Sequence, residues 1–186
     1  MSLFQQTDET LIKKAISGNQ RAWNKLVGRY ENVVYQYALR MTSNPADAKD
    51  LMQETFVSVC RSLAEFRGDS GFKTWLLKIA HFRSIEHYRR RKFFAGEDEL
   101  ANIDAEPEQA CPELKLVENQ KMNQILSIMA TLPFEQKLIV ELKVFQQLTF
   151  EQIAEQLGIS GNTVKSRFYK SLDKLKILLE SSYDAA

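Results

Sequence analysis

Apolar residues recur at spacings of three and four along almost the whole chain, and that period lapses once, between residues 95 and 113. A repeat near 3.6 residues marks an amphipathic helix, whereas a half-buried strand alternates every second residue. No stretch shows clear period-two alternation, and no internal repeat is visible. Scarce glycine (7) and proline (4) also argue against a turn-rich β fold. The expected fold class is therefore all-α. Two small helical domains, 1–94 and 114–186, flank a linker at 95–113.

Punctuation between the periodic runs divides them into helices. Leu11, Ile12, Ala15 and Ile16 give a short helix over 8–18, with Thr7 or Asp8 as cap and Gly18-Asn19 as its end. Trp23, Leu26, Val27, Tyr30, Val34, Tyr37 and Met41 give a long one over 20–42. Asn44-Pro45 opens a third over 45–64, carrying Ala48, Leu51, Met52, Thr55, Phe56, Val59 and Leu63. The glycine-bearing stretch 66–72 reads as a loop, and a fourth helix over 72–92 ends in Arg89-Arg90-Arg91-Lys92. After the linker, helices are expected near 114–131, 134–146, 150–157 and 161–180.

The net charge of +1 hides a strong asymmetry. Residues 1–95 hold 16 Lys and Arg against 9 Asp and Glu, residues 96–120 hold 1 against 8, and residues 121–186 hold 8 against 7. Fields follow where charges sit, so a basic half and an acidic strip say more than the total. Like charges and two prolines make the strip an extended, hydrated linker. Cys60 and Cys111 form no disulfide framework, which fits a reducing cytoplasm. With His81 and His87 they match no zinc spacing. No apolar run approaches the roughly 20 residues of a membrane span, and the first residues lack a signal-peptide pattern. Neither a phosphate loop nor a nucleophile with its base is present, so no catalytic residue and no cofactor is expected.

Residues 148–167 have the form of a helix-turn-helix. Thr149 with Gln152 makes a capping box, Ala154 permits close helix approach, and Gly158 suits the positive φ that ends the first helix. On the second helix, Val164, Phe168, Leu172, Leu175 and Leu179 are expected to point inward. Lys165, Ser166, Tyr169 and Lys170 then face outward with Arg167 at the flank, as side chains must to reach base edges in a major groove. A solvated basic face would suffice for an isolated helix, but here cap, small residue, glycine and inward residues are all in register.

Two further patches stand out. Asp47, Asp50, Gln53 and Glu54 share one helix face, and pattern alone makes that face merely solvated. The loop 66–72 leads into a helix rich in aromatic and basic residues, a combination that can track phosphates and hold unstacked bases. Trp75 shares a face with Leu76 and Ile79, so its expected place is the core rather than a base.

Taken together, these residues resemble the sigma-70 family of RNA polymerase sigma factors, in the extracytoplasmic-function (ECF) group that keeps only regions two and four. The likeness rests on Asp47-Ala48, Asp50-Leu51-Met52-Gln53-Glu54-Thr55-Phe56, Phe66-Arg67-Gly68-Asp69-Ser70, Phe72-Lys73-Thr74-Trp75-Leu76 and Ile79-Ala80. It continues through Leu132-Pro133, Glu151-Gln152-Ile153-Ala154 and Thr163-Val164-Lys165-Ser166-Arg167. Three positions depart from the family pattern: Phe82 stands for Asn, Glu86 for Asp and Asn162 for Gly.

The resemblance implies roles that spacing does not give. It places Asp50, Gln53 and Glu54 against the clamp of core RNA polymerase. It assigns Arg67, Asp69, Ser70, Phe72, Lys73, Arg83, His87, Arg89 and Arg90 to the minus-ten promoter element. It assigns Thr163, Lys165, Ser166, Arg167, Tyr169 and Lys170 to the minus-thirty-five element. An anti-sigma factor is an implied partner, and the linker is implied to thread toward the active-site cleft. The alternative reading is a stand-alone helix-turn-helix regulator, which would have no use for the polymerase face.

Overall fold

The structure, a computed structural model, describes residues 6–95 and 120–183. Two compact units divide the chain, 1–39 with 45–90 and 91–186 with 40–44. The expected linker beyond Ala95, and the segment 114–119 with Leu116 and Val117, lie outside the described residues. Among the described residues there is no strand, and no helix is long and apolar enough to cross a membrane.

The first unit is built from α1 (Asp8–Ile16), α2 (Gln20–Thr42), α3 (Pro45–Ser62), a 3-10 turn (Leu63–Glu65) and α4 (Phe72–Ala95). Thr7 starts α1, its hydroxyl accepting from the Thr10 amide at 3.4 Å. Gly18, at φ +84, ends it, and the Asn19 side chain accepts from the Ala22 amide at 3.0 Å to open α2. The Asp8 carboxylate accepts from the Arg29 guanidinium and the Tyr30 hydroxyl, tying α1 to α2. Burial, and then that bond to Asp8, push the Tyr30 hydroxyl up to about 12. Leu11, Leu26, Val34, Tyr37, Leu51, Val59 and Leu76 fill the core.

The helical period of α4 suggests a face of Trp75, Leu76, Ile79, Phe82 or Arg83, and Glu86, and the buried face is a different one. Leu76, Leu77, Ala80, His81 and Ser84 are buried, while Phe82 is 57% exposed and Glu86 lies outside. The reason is local. Small Ala80 and Ser84 allow close approach to α2, where the Tyr37 and Ser84 hydroxyls meet at 2.9 Å. A polar residue thus occupies a core position because its partner is buried with it. His81 is different: neither ring nitrogen has a hydrogen-bond partner among the described residues, and burial lowers its pKa to about 4.

The second unit contains α5 (Gln120–Ala130), α6 (Phe134–Val140), a π-helical turn (Glu141–Phe145), α7 (Phe150–Leu157) and α8 (Gly161–Tyr183). The single helix expected over 134–146 therefore widens at its end. The Gln146 amide reaches the Glu141 carbonyl at 3.1 Å, and Gln147 at φ +58 turns the chain toward α7. Met129, Leu132 and Val140 form a core against which Phe145, Phe168 and Leu175 pack. Ile153 and Val164 are fully buried between the paired helices α7 and α8.

One inward residue was placed wrongly by the period. Leu172 is 37% exposed, and Ser171 is buried in its stead. Residue 171 lies seven after Val164, close to two full helical turns. Its hydroxyl donates to the Arg167 carbonyl at 2.7 Å, so a serine is buried there without an orphaned group. The Leu179 side chain is outside the described residues.

Candidate functional site

Candidate residues fall on three surfaces, two in the first unit and one in the second. On α3, Asp50 and Gln53 are exposed and Glu54 is half-buried. Val57, 49% exposed, continues that face one turn on, an apolar member that the acidic pattern concealed. One guanidinium nitrogen of Arg90 donates to both Glu54 oxygens at 2.7 Å, and this bond raises the Arg90 pKa further. His87 Nε2 lies 3.9 Å from Asp47 Oδ2. The acidic face of α3 is thus joined along one edge to the basic end of α4.

The second surface is the loop before α4. Gly68 takes φ +81, a conformation open to glycine at little cost, and Arg67, Asp69 and Ser70 project into solvent around it. The loop ends are held by an aromatic cluster. Phe66 meets Phe72 edge-on at 5.6 Å and Trp75 at 5.3 Å, and Tyr30 meets Phe72 at 5.3 Å. Phe72 itself is only 5% exposed. It is the buried anchor of the loop, and Trp75 is half-buried beside it. Such aromatic contacts contribute about 0.5–1.5 kcal/mol each beyond area burial.

Beyond the loop, Lys73 and Arg89 are exposed. Arg83 is turned to Glu86 at 2.6 Å on its own helix. With Phe82, they border a shallow groove of about 300 Å³ whose other wall is Ser58, Arg61 and Ser62 of α3. Sequence reasoning brought Arg83 and Arg90 to this face but gave no sign that carboxylates already hold both.

The third surface is the outward side of α7 and α8. The capping box forms as expected: the Gln152 amide donates to Thr149 Oγ1 at 3.2 Å and the Thr149 amide to Gln152 Oε1 at 2.8 Å. Gly158 takes φ +66, and the Ile159 amide closes the turn on the Ala154 carbonyl at 3.1 Å. Ser160 caps α8 through the Thr163 amide at 3.1 Å, and the Thr163 hydroxyl joins it at 2.8 Å. Lys165, Ser166 and Lys170 are exposed, as is Tyr169 at 56%. Arg167 is held by Glu135 of α6 at 2.8 Å, at the flank rather than the centre of the face. Lys143, which sequence reasoning passed over, stands beside this surface above the Phe150 ring.

Chemically, these surfaces present charge, hydroxyls and aromatic rings, the equipment of a nucleic-acid reader. Among the described residues no group of three or more His, Cys, Asp or Glu is arranged to hold a metal ion.

Known proteins carry the same architecture. Residues 26–94 match the family described as Sigma-70 region 2, and residues 122–175 match Sigma-70, region 4. The RNA polymerase sigma-H factor of Pseudomonas aeruginosa is 28% identical, with 96% of each chain covered. The ECF RNA polymerase sigma-E factor of Haemophilus influenzae is also 28% identical, covering 92% of this chain and 95% of that one. Among solved structures, CnrH in complex with the cytosolic domain of CnrY superimposes with a TM-score of 0.61 at 25% identity, covering 94% of this chain and 97% of that one.

Proposed function

Since the chain belongs to the sigma-70 family, in its extracytoplasmic-function group, we propose a division of labour among its three surfaces. As a sigma factor it binds core RNA polymerase and directs promoter-specific initiation, while the polymerase performs the chemistry. In our reading, residues 1–94 dock on the polymerase and read the minus-ten element, 95–113 serve as the tether, and 114–186 read the minus-thirty-five element.

Asp50, Gln53 and Glu54 meet the polymerase clamp, with Val57 adding apolar contact. Arg67, Asp69 and Ser70, on the loop pinned by Phe66, Phe72 and Trp75, receive an extruded base of the non-template strand. Trapping that base offsets a few kcal/mol of unstacking and so favours melting. Lys73, Arg83, His87, Arg89 and Arg90 follow the adjoining phosphates. Lys165, Ser166, Tyr169 and Lys170 enter the major groove upstream, with Thr163 and Arg167 bracing the backbone. Neither reader need be tight, because a tether makes the second contact effectively intramolecular. The protein works in the cytoplasm beside the polymerase. A partner that covers these surfaces, an anti-sigma factor, keeps it idle; the related CnrH was solved in complex with the cytosolic domain of CnrY.

The observation carrying this reading is the register of the second unit: capping box, left-handed Gly158 and exposed Lys165, Ser166, Tyr169 and Lys170 on one helix. Run-off transcription with core polymerase over a randomised promoter library tests it. Two short conserved sequences are expected among the active templates. Lys170→Ala is expected to blur the upstream one and leave core binding unchanged. Loss of core binding in that variant, or no transcript from any template with the wild type, would refute the assignment.

A further inference from the structure

Phe82 is a large aromatic residue that the fold leaves 57% exposed, while its neighbour His81 is fully buried. It stands where the family pattern has Asn, so a side chain able to hydrogen-bond is replaced by one that is not. A single exposed apolar residue is ordinary. What sets this one apart is its support and its surroundings. The buried His81 ring backs the Phe82 ring at a centroid distance of 5.5 Å, tilted by 59°. An aromatic side chain so backed has little conformational freedom left to lose when a ligand arrives.

The ring borders the groove of about 300 Å³ between α3 and α4, with Ile79 beside it and Arg61 among the α3 residues across from it. Arg61 is exposed. Lys78 and Arg89, four residues before Phe82 and seven after it, are exposed on the same side of α4. The carboxylate at the groove, Glu86, is taken up by Arg83 at 2.6 Å. An aromatic ring flanked by cations along a groove suits a single nucleic-acid strand. The cations follow phosphates, and the ring offers its face to an unpaired base. The loop before α4 cannot be the same subsite. Phe82 lies ten residues after Phe72, about 15 Å along the helix axis, too far for one base to occupy both.

Resting on the reading above, we propose that the α3–α4 groove is a second subsite for the melted promoter strand, in which an unpaired base stacks on Phe82. Arg61, Lys78 and Arg89 hold the flanking phosphates. Every base has a π face, so this subsite tolerates any base and serves to hold the strand open rather than to read it.

The test uses holoenzyme assembled from the full chain and core polymerase. One promoter fragment carries a mismatched, permanently open bubble across the minus-ten region, and a second is a duplex cross-linked shut there. Phe82→Ala is expected to weaken binding to the bubble by about five- to a hundredfold, the range of one lost base stack. It should leave the closed duplex, core affinity and the melting temperature unchanged. Phe82→Trp should bind the bubble as wild type does, and Phe82→Leu should lose as much as Phe82→Ala. An abasic site at one position of the non-template strand should erase the difference between wild type and Phe82→Ala. Wild-type affinity for the bubble in Phe82→Leu, an equal loss on the closed duplex, or no such abasic position would overturn the stacking subsite. A loss of core affinity in Phe82→Ala would overturn it too, by making the groove a polymerase contact. Failure of wild-type holoenzyme to bind any promoter would instead strike the functional reading itself.

Discussion

His81 makes the first unit acid-sensitive by an amount that can be worked out. The imidazole is fully buried, has no hydrogen-bond partner among the described residues, and is held neutral by burial, with its pKa lowered from 6.5 to about 4. In the unfolded chain it protonates near its ordinary value, so between the two values the unfolded state binds more protons. Stability is therefore intact above pH 6.5 and is lost as pH falls toward 4. At pH 5 the loss amounts to about 2 kcal/mol, a large share of a small domain's total. Both tryptophans, Trp23 and Trp75, belong to this unit, so tryptophan fluorescence during urea unfolding reports on it directly. His81→Leu removes the titrating ring, while the carboxylates that also titrate remain in both proteins. Wild type minus variant should change by about 2 kcal/mol between roughly pH 7.5 and pH 5. Parallel pH profiles for the two proteins would refute the reasoning, since the ring would then be charged in the folded state at no cost.

Gly158→Ala is expected to cost about 1–2 kcal/mol. An added Cβ there meets nothing within 4 Å, so the whole cost is the backbone strain of φ +66. Circular dichroism during urea unfolding measures it, and an unchanged midpoint would mean that the left-handed turn is dispensable. Glu54→Gln is expected to leave stability within about 1 kcal/mol of wild type, because its ion pair with Arg90 is exposed. Affinity for core polymerase should nonetheless fall about tenfold by fluorescence anisotropy, the order of one lost charged contact. Unaltered core binding would remove Glu54 from the docking face.

Much of the fold was legible because helix ends carry chemical punctuation. Thr7, Gly18, Asn19, Thr149 and Gly158 each do locally what their residue type favours. Part of what was illegible depends on partners distant in sequence. Ser84 is a core residue only because Tyr37 is buried opposite it. Phe72 reads in the sequence only as the residue that ends the loop, and the packing of Tyr30, Phe66 and Trp75 makes it an anchor. Ser171 displaced Leu172 because hydrophobicity is a poor guide where a hydroxyl satisfies itself on the preceding turn. Lys143 escaped notice because its place depends on a π-helical turn, which no local residue pattern announced.

The cations of the proposed reading surfaces divide into two kinds, and on that proposal the division bears on how a promoter is gripped. Arg83, Arg90 and Arg167 are each held by a carboxylate, Glu86, Glu54 and Glu135 respectively. Lys73, Arg89 and Lys170 have no ion pair among the described residues. One reading would make the three carboxylates inhibitory, competing with DNA for the guanidiniums. Magnitude decides against it. Exposed pairs of this kind are worth at most about 1 kcal/mol, whereas each phosphate engaged releases condensed counterions besides forming a charge-assisted bond. The pairs are too weak to block and strong enough to orient. Guanidiniums have a planar fork whose value lies in direction, and a carboxylate held in place on the surface fixes that direction before DNA arrives. Lys73 and Lys170 need no such aid, because an ammonium acts as a point charge, whereas Arg89 is the guanidinium in this group that no carboxylate orients.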